Sequence, residues 1–141
     1  MKTSTFTVTL FSFSYKHGGP QFTGVDGGGF VFDCRCLPNP GRQAAFMELT
    51  GLDREVVDYF RARPEVEGFF QHCTAIVEQA VTNYLARDFQ NLMVSFGCTG
   101  GQHRSVYMAE SMSRHLSKAM MVAAPVRHLG LEKRLPPLTE P

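Results

Sequence analysis

The chain has no apolar run near the roughly 20 residues that a membrane-spanning helix needs. Its opening, MKTSTFTVTLF, alternates where an export signal would be continuously apolar. A soluble, unexported chain with no membrane partner is expected. Charge is also scarce: 19% of residues are charged and the formal net charge is +1. Bulk electrostatics therefore marks no nucleic-acid or acidic-surface binder, and any basic site has to be local. Cysteine is limited to Cys34, Cys36, Cys73 and Cys98, without the density or context of a secreted disulfide scaffold, which fits a reducing cytoplasm. Structural zinc draws on Cys pairs roughly two to four residues apart. Only Cys34-x-Cys36 comes near that spacing, so no metal and no cofactor are expected. Internal repeats and low-complexity blocks are missing too.

What is present is apolar material: 43% of the 141 residues are hydrophobic, including 12 Phe. That is enough for the core of one domain spanning 1–141, with a frayed Pro-rich tail over 135–141. Residues 1–42 sum to +2, residues 43–86 to −4 and residues 87–141 to +3. The pattern suggests that the two ends meet and make one positive face.

Between Thr5 and Phe13, Phe6, Val8 and Leu10 alternate with Thr7, Thr9 and Phe11 in a β-branched and aromatic stretch, which reads as a strand. Phe30 to Cys34, bounded by Gly29 and the turn Pro38-Asn39-Pro40-Gly41, reads as a short buried strand. Asp53 opens a helix by accepting first-turn amides, and Pro64 ends that helix and starts another. From Glu65, apolar residues recur at helical spacing to Leu85. Leu92 to Phe96 reads as a third strand, and Val106, Ala109, Met112 and Leu116 mark a helix behind it. A last short strand is expected around Met120 to Ala123. The fold class is α/β, a small central sheet covered by helices with a strand–loop–helix at its heart. Met93, Met108, Met112, Met120 and Met121 read as core filler.

The informative segment is Gly97-Cys98-Thr99-Gly100-Gly101-Gln102-His103-Arg104-Ser105, between strand and helix. First-turn amides of a helix have no internal partners and carry the positive end of its dipole, so they favour an oxyanion there. Gly100 and Gly101 let the backbone curl around a ligand. Arg104 adds a fork for two phosphate oxygens, and Thr99 and Ser105 add hydroxyls. The same Cys-x5-Arg-Ser spacing matches cysteine-dependent phosphatases. In that alternative Cys98 is the nucleophile, Arg104 the transition-state clamp and Asp33 the general acid. A nucleotide-binding module is a further alternative, since a phosphate cradle accepts nucleotides.

The loop GCTGGQHRSVYMAE, with SFSYKHGGP at 12–20, FDCRCLPNP at 32–40, LTGLDREVVDYF at 49–60 and RHLGLEKR at 127–134, is similar in order and spacing to the C-terminal domain of the RapZ family. The resemblance implies an adaptor in bacterial amino-sugar regulation. There, an N-terminal nucleotide-binding domain with a Walker-type loop precedes a domain that senses glucosamine-6-phosphate and binds a small regulatory RNA. No G-x-x-x-x-G-K-[ST] occurs in these residues. The chain reads as the C-terminal domain alone, and ATPase or GTPase activity has no motif to support it. A ligand sensor rather than an enzyme is expected.

By the same resemblance, the phosphate of a phosphorylated small molecule lies against Cys98, Thr99, Gly100, Gly101, His103 and Arg104. His17 contacts the ligand from Lys16-His17-Gly18. Asp33, Arg35 and Asn39 line the site, Asp33 either gripping a sugar hydroxyl or holding Arg35. Arg127, His128, Lys133 and Arg134 resemble the family's basic C-terminal segment and are the candidate contacts to a structured RNA. Leu129 and Gly130 interrupt them where family members place polar or basic residues. The resemblance also leaves room for a homo-oligomer.

Overall fold

β-Branched and aromatic residues fill Thr7–Ser14, which forms the first strand, β1. The structure, a computed structural model, describes residues 6–20 and 27–134, the last two by their backbone alone. Thr5 and the tail expected to fray, residues 135–141, lie outside it. Gly29–Asp33 is β2, Asn91–Cys98 is β3 and Val126–His128 is β4. The helices are α1 (Arg54–Arg61), α2 (Pro64–Ala86), α3 (Arg104–Ala119) and α4 (Leu129–Arg134), with single 3-10 turns at Pro40–Arg42 and Ala44–Phe46.

The four strands make one parallel sheet in the order β2-β3-β1-β4. The β2-to-β3 and β3-to-β4 connections move the same way across it. Crossovers of the usual right hand then put their helices on one face. The core agrees: Val8, Leu10, Leu92, Val94 and Phe96 point into one cluster with Val56 and Phe60 of α1, Val77 and Val81 of α2, and Met108, Met112 and Leu116 of α3. On the opposite face Phe11, Phe13 and Met93 pack with Leu129 of α4. The central strands β1 and β3 are thus buried on both sides, as parallel strands usually are.

Several sequence expectations are corrected. β2 lies at the sheet edge and alternates between half-buried and exposed residues, with Val31 40% exposed, so it is not a buried strand. The last strand falls at 126–128 instead of 120–123, because Met121 takes a left-handed turn (φ 57) as the chain leaves α3. Only Ala123 bridges to Thr7. Met121 is 86% exposed and fills no core. Asp53 does begin α1, yet its carboxylate turns backward and accepts from the Thr50 amide at 2.7 Å, closing the Thr50–Asp53 turn on itself and leaving the first-turn amides of α1 uncapped by it. Pro64 is at the first turn of α2, where its missing N–H costs no hydrogen bond. No helix among the described residues is long and apolar enough to cross a membrane.

Candidate functional site

In a parallel sheet, ligands bind beyond the carboxyl ends of the strands. At that end β3 delivers Cys98, and the loop to α3 bounds a pocket of about 290 Å³. Cys98, Thr99, Gly100, Gln102, His103 and Arg104 form one side; Asn39, Gly41, Arg42 and Met47 form the other. The lining holds two arginines and no carboxylate. The amino end of α3 points into the same region, so the local field favours an anion.

The loop's shape follows from its glycines and from side chains spent on backbone. Gly101 is left-handed (φ 67), and a Cβ there would sit 3.0 Å from the Ser14 amide nitrogen. Ser14 Oγ donates to the Thr99 carbonyl at 2.6 Å, fastening the end of β1 beneath the loop. Gln102 Nε2 donates to the carbonyls of Met47 and Leu49 at 2.9 and 2.7 Å. His103, mostly buried, places Nε2 2.9 Å from the Phe46 carbonyl. Asn39 Oδ1 accepts the Gly41 amide at 3.0 Å and starts the 3-10 turn that carries Gly41 and Arg42 to the opposite wall. Cys98 Sγ lies 3.1 Å from Ser105 Oγ and accepts the Ser105 amide at 3.5 Å. Arg104 is only 6% exposed; Nη1 donates to the carbonyls of Arg35 and Leu37 at 2.9 and 3.2 Å.

A family model of the RapZ C-terminal domain matches residues 6–132. The chain belongs to the RapZ C-terminal domain family. It is 43% identical over 111 residues to a nucleotide-binding protein of Methylococcus capsulatus, covering 79% of this chain and 36% of that protein. Over 133 residues it is 38% identical to one of Nitrosomonas europaea, covering 94% of this chain and 44% of the relative. A third, from Hahella chejuensis, is 36% identical over 117 residues, covering 83% and 39%. This RapZ C-terminal domain therefore spans less than half the length of the curated relatives it matches.

The remaining candidates fall in three other places. Asp33 and Arg35 stand outside the pocket as a bidentate ion pair, Nε to Oδ1 at 2.9 Å and Nη2 to Oδ2 at 2.6 Å. The Arg35 guanidinium also covers the Tyr15 ring, 4.1 Å from its centroid. Its hydrogen bonds hold the Asp33 carboxyl below the usual carboxylate range.

His17 lines a second pocket of about 250 Å³ with Ser14, Gly18, Gly19, Arg127, Leu129, Gly130 and Glu132. The first loop after β1 and the segment after β4 meet there, so the two basic ends of the chain come together. Gly130 is pressed against the back of the loop between β3 and α3: a Cβ on it would lie 2.7 Å from the Gly101 carbonyl oxygen. Leu129, which interrupts the basic run in sequence, is buried on the sheet.

Of the basic segment, Arg127 is paired with Glu132 at 2.7 Å. His128 sits between Ser12 Oγ, 2.6 Å from Nδ1, and Glu110 Oε2, 2.7 Å from Nε2. The side chains of Lys133 and Arg134 lie outside the described residues. Among the described residues no three His, Cys, Asp or Glu side chains gather as a metal site.

Four lining residues escaped the sequence reading: Gly41, Arg42, Met47 and Gln102. Arg42 directly follows the Pro-Asn-Pro-Gly turn and Gln102 lies inside the loop, so adjacency to the motifs was the available signal. Nothing in the spacing pointed to Met47.

Proposed function

We propose that this domain binds a phosphorylated small metabolite of the hexosamine-phosphate class, glucosamine-6-phosphate being the first candidate, and senses it without turning it over. The observation that carries this reading is the convergence of Arg42, Arg104 and the amino end of α3 on a pocket with no carboxylate in its lining. At about 290 Å³ it sits at the small end of the roughly 300–1,000 Å³ usual for ligand sites. A sugar phosphate suits it better than a dinucleotide. Beyond their bonds to the backbone, Asn39 keeps its Nδ2 donors and Gln102 its Oε1 acceptor for sugar hydroxyls.

The phosphatase alternative needs a proton donor for the leaving oxygen. Asp33, its candidate, is ion-paired with Arg35 and held ionised at neutral pH, which supports binding over turnover. The relatives' name, nucleotide-binding protein, is carried by chains more than twice as long, and these 141 residues contain no Walker motif. For RNA, Arg127 and His128 are already engaged within the chain.

The test is calorimetric titration with glucosamine-6-phosphate, its N-acetylated form and inorganic phosphate, repeated on Arg42→Gln. Exposed Arg42 should be replaceable with less than about 0.5 kcal/mol change in stability. Affinity for the sugar phosphates should nevertheless fall about tenfold. A folded protein that shows no saturable heat with any of the three would remove the proposal.

A further inference from the structure

Two thiols lie at the carboxyl ends of neighbouring strands, Cys98 lining the pocket and Cys34 directly after β2. The β2–β3 register pairs Asp33 with Gly97, and the Cys34 amide donates to the Gly97 carbonyl at 2.7 Å, so Cys34 and Cys98 follow as side-by-side positions. Both belong to the same core cluster on the helix-covered face. Adjacent strands run about 4.8 Å apart, inside the roughly 4.4–6.8 Å between Cα atoms that a disulfide spans. Both are free thiols.

Their surroundings differ. Cys98 is 2% exposed, yet it lines the pocket, so only a molecule small enough to enter can reach its sulfur. The Ser105 amide and hydroxyl stand beside that sulfur at the positive end of α3. Cys34 is fully covered, and burial pushes its thiol well up, with Cys98 the next cause. It has no path to solvent of its own.

We propose that Cys98 and Cys34 form a peroxide-oxidisable pair, in which Cys98 meets the oxidant through the pocket and Cys34 resolves it into a disulfide. The Cys98 sulfur attacks one oxygen of hydrogen peroxide, the O–O bond breaks, and water leaves as Cys98 becomes a sulfenic acid. The Cys34 sulfur then attacks the Cys98 sulfur, the S–O bond breaks, and a second water leaves. Two thiols lose two electrons and two protons, and one peroxide is reduced to two waters.

Making an S–S bond of about 2.05 Å pulls the Cys98 sulfur off Ser105 and toward β2. The first turn of α3 then loses a contact that shapes the pocket floor. Oxidation thereby lowers anion affinity, a consequence that rests on the function proposed above; formation of the pair does not.

The experiment uses the full chain, reduced, desalted, treated with equimolar hydrogen peroxide and capped with iodoacetamide. Trypsin, cutting after Arg35, Arg42, Arg87 and Arg104, leaves the four cysteines on four different peptides. A linked Cys34–Cys98 peptide pair, reversed by dithiothreitol, is the expected result. Cys34→Ser should yield over-oxidised Cys98 instead, and Cys34→Ala serves if serine fails to fold. Linkage to Cys73 or Cys36, sulfinic Cys98 without a disulfide in the native chain, or four intact thiols would each overturn the pairing. Titrating reduced and oxidised chain with glucosamine-6-phosphate should show an affinity loss of about tenfold or more. Equal affinity would overturn the regulatory step. Failure of the reduced chain to bind would remove the function reading, while the linked peptides still decide the pair.

Discussion

Arg104 donates from Nη1 to the carbonyl oxygen of Arg35 at 2.9 Å, so a residue that lines the pocket at the carboxyl end of β3 also holds the loop after β2 in place. The same nitrogen reaches Leu37. A group serving both ends links folding to binding.

Substituting Arg104 should therefore harm both. Arg104→Gln leaves two carbonyl oxygens short of their donor and should cost about 1–3 kcal/mol. Arg104→Lys keeps the charge without the planar fork and should still lose most sugar-phosphate affinity. Chemical denaturation and calorimetry read the two effects separately. Native stability in Arg104→Gln would show that the brace contributes nothing.

Gly51 should tolerate no side chain. Its amide donates to the Gln102 carbonyl at 2.9 Å, and an added Cβ would stand 2.5 Å from the His103 carbonyl oxygen and 2.7 Å from the Tyr107 amide nitrogen. Both neighbours are backbone at the start of α3 and cannot swing aside. Gly51→Ala should cost about 1–3 kcal/mol and weaken anion binding by tilting the helix. A thermal melt unchanged from the native chain would refute this packing.

Asp33 gives the pH dependence. Its carboxyl is held below its ordinary value in the folded chain by Arg35, so the pair's stabilisation is fully present above the unfolded carboxylate's range. It disappears as pH falls through the lowered folded value. Melting temperatures of the native chain and Asp33→Asn should differ slightly at neutral pH and converge in acid, the effect being small for an exposed pair. A gap that widens in acid would reverse the assignment. Neither form should hydrolyse p-nitrophenyl phosphate above the level of Cys98→Ser.

Much of the frame was legible because it rests on periodicity. The run from Val66 to Leu85 repeats at helical spacing and is α2; Leu92 to Phe96 is apolar throughout and lies inside β3. The curl between strand and helix was readable at Gly101, which is left-handed (φ 67), whereas Gly100 takes no left-handed conformation and has room for a Cβ. What escaped depends on neighbours distant in sequence. Phe30 to Cys34 looks like a buried strand on composition, and only the sheet order places it at an edge. Met121 is apolar but ends up in a left-handed turn. His17 and Cys98 lie near each other's loops yet face different cavities, a division made by Ser14 and Gly101 that no local pattern encodes. Arg42 and Met47 join the site through two 3-10 turns too short to announce themselves.

The meeting of Gly101 and Gly130 has a mechanical consequence. The Gly101 carbonyl oxygen occupies the space a Cβ on Gly130 would take, so main chain rests on main chain with no side chain between to act as a cushion. Rotamers cannot absorb a shift at such a junction. The bend between β3 and α3 and the start of α4 must travel together, like two teeth of one gear.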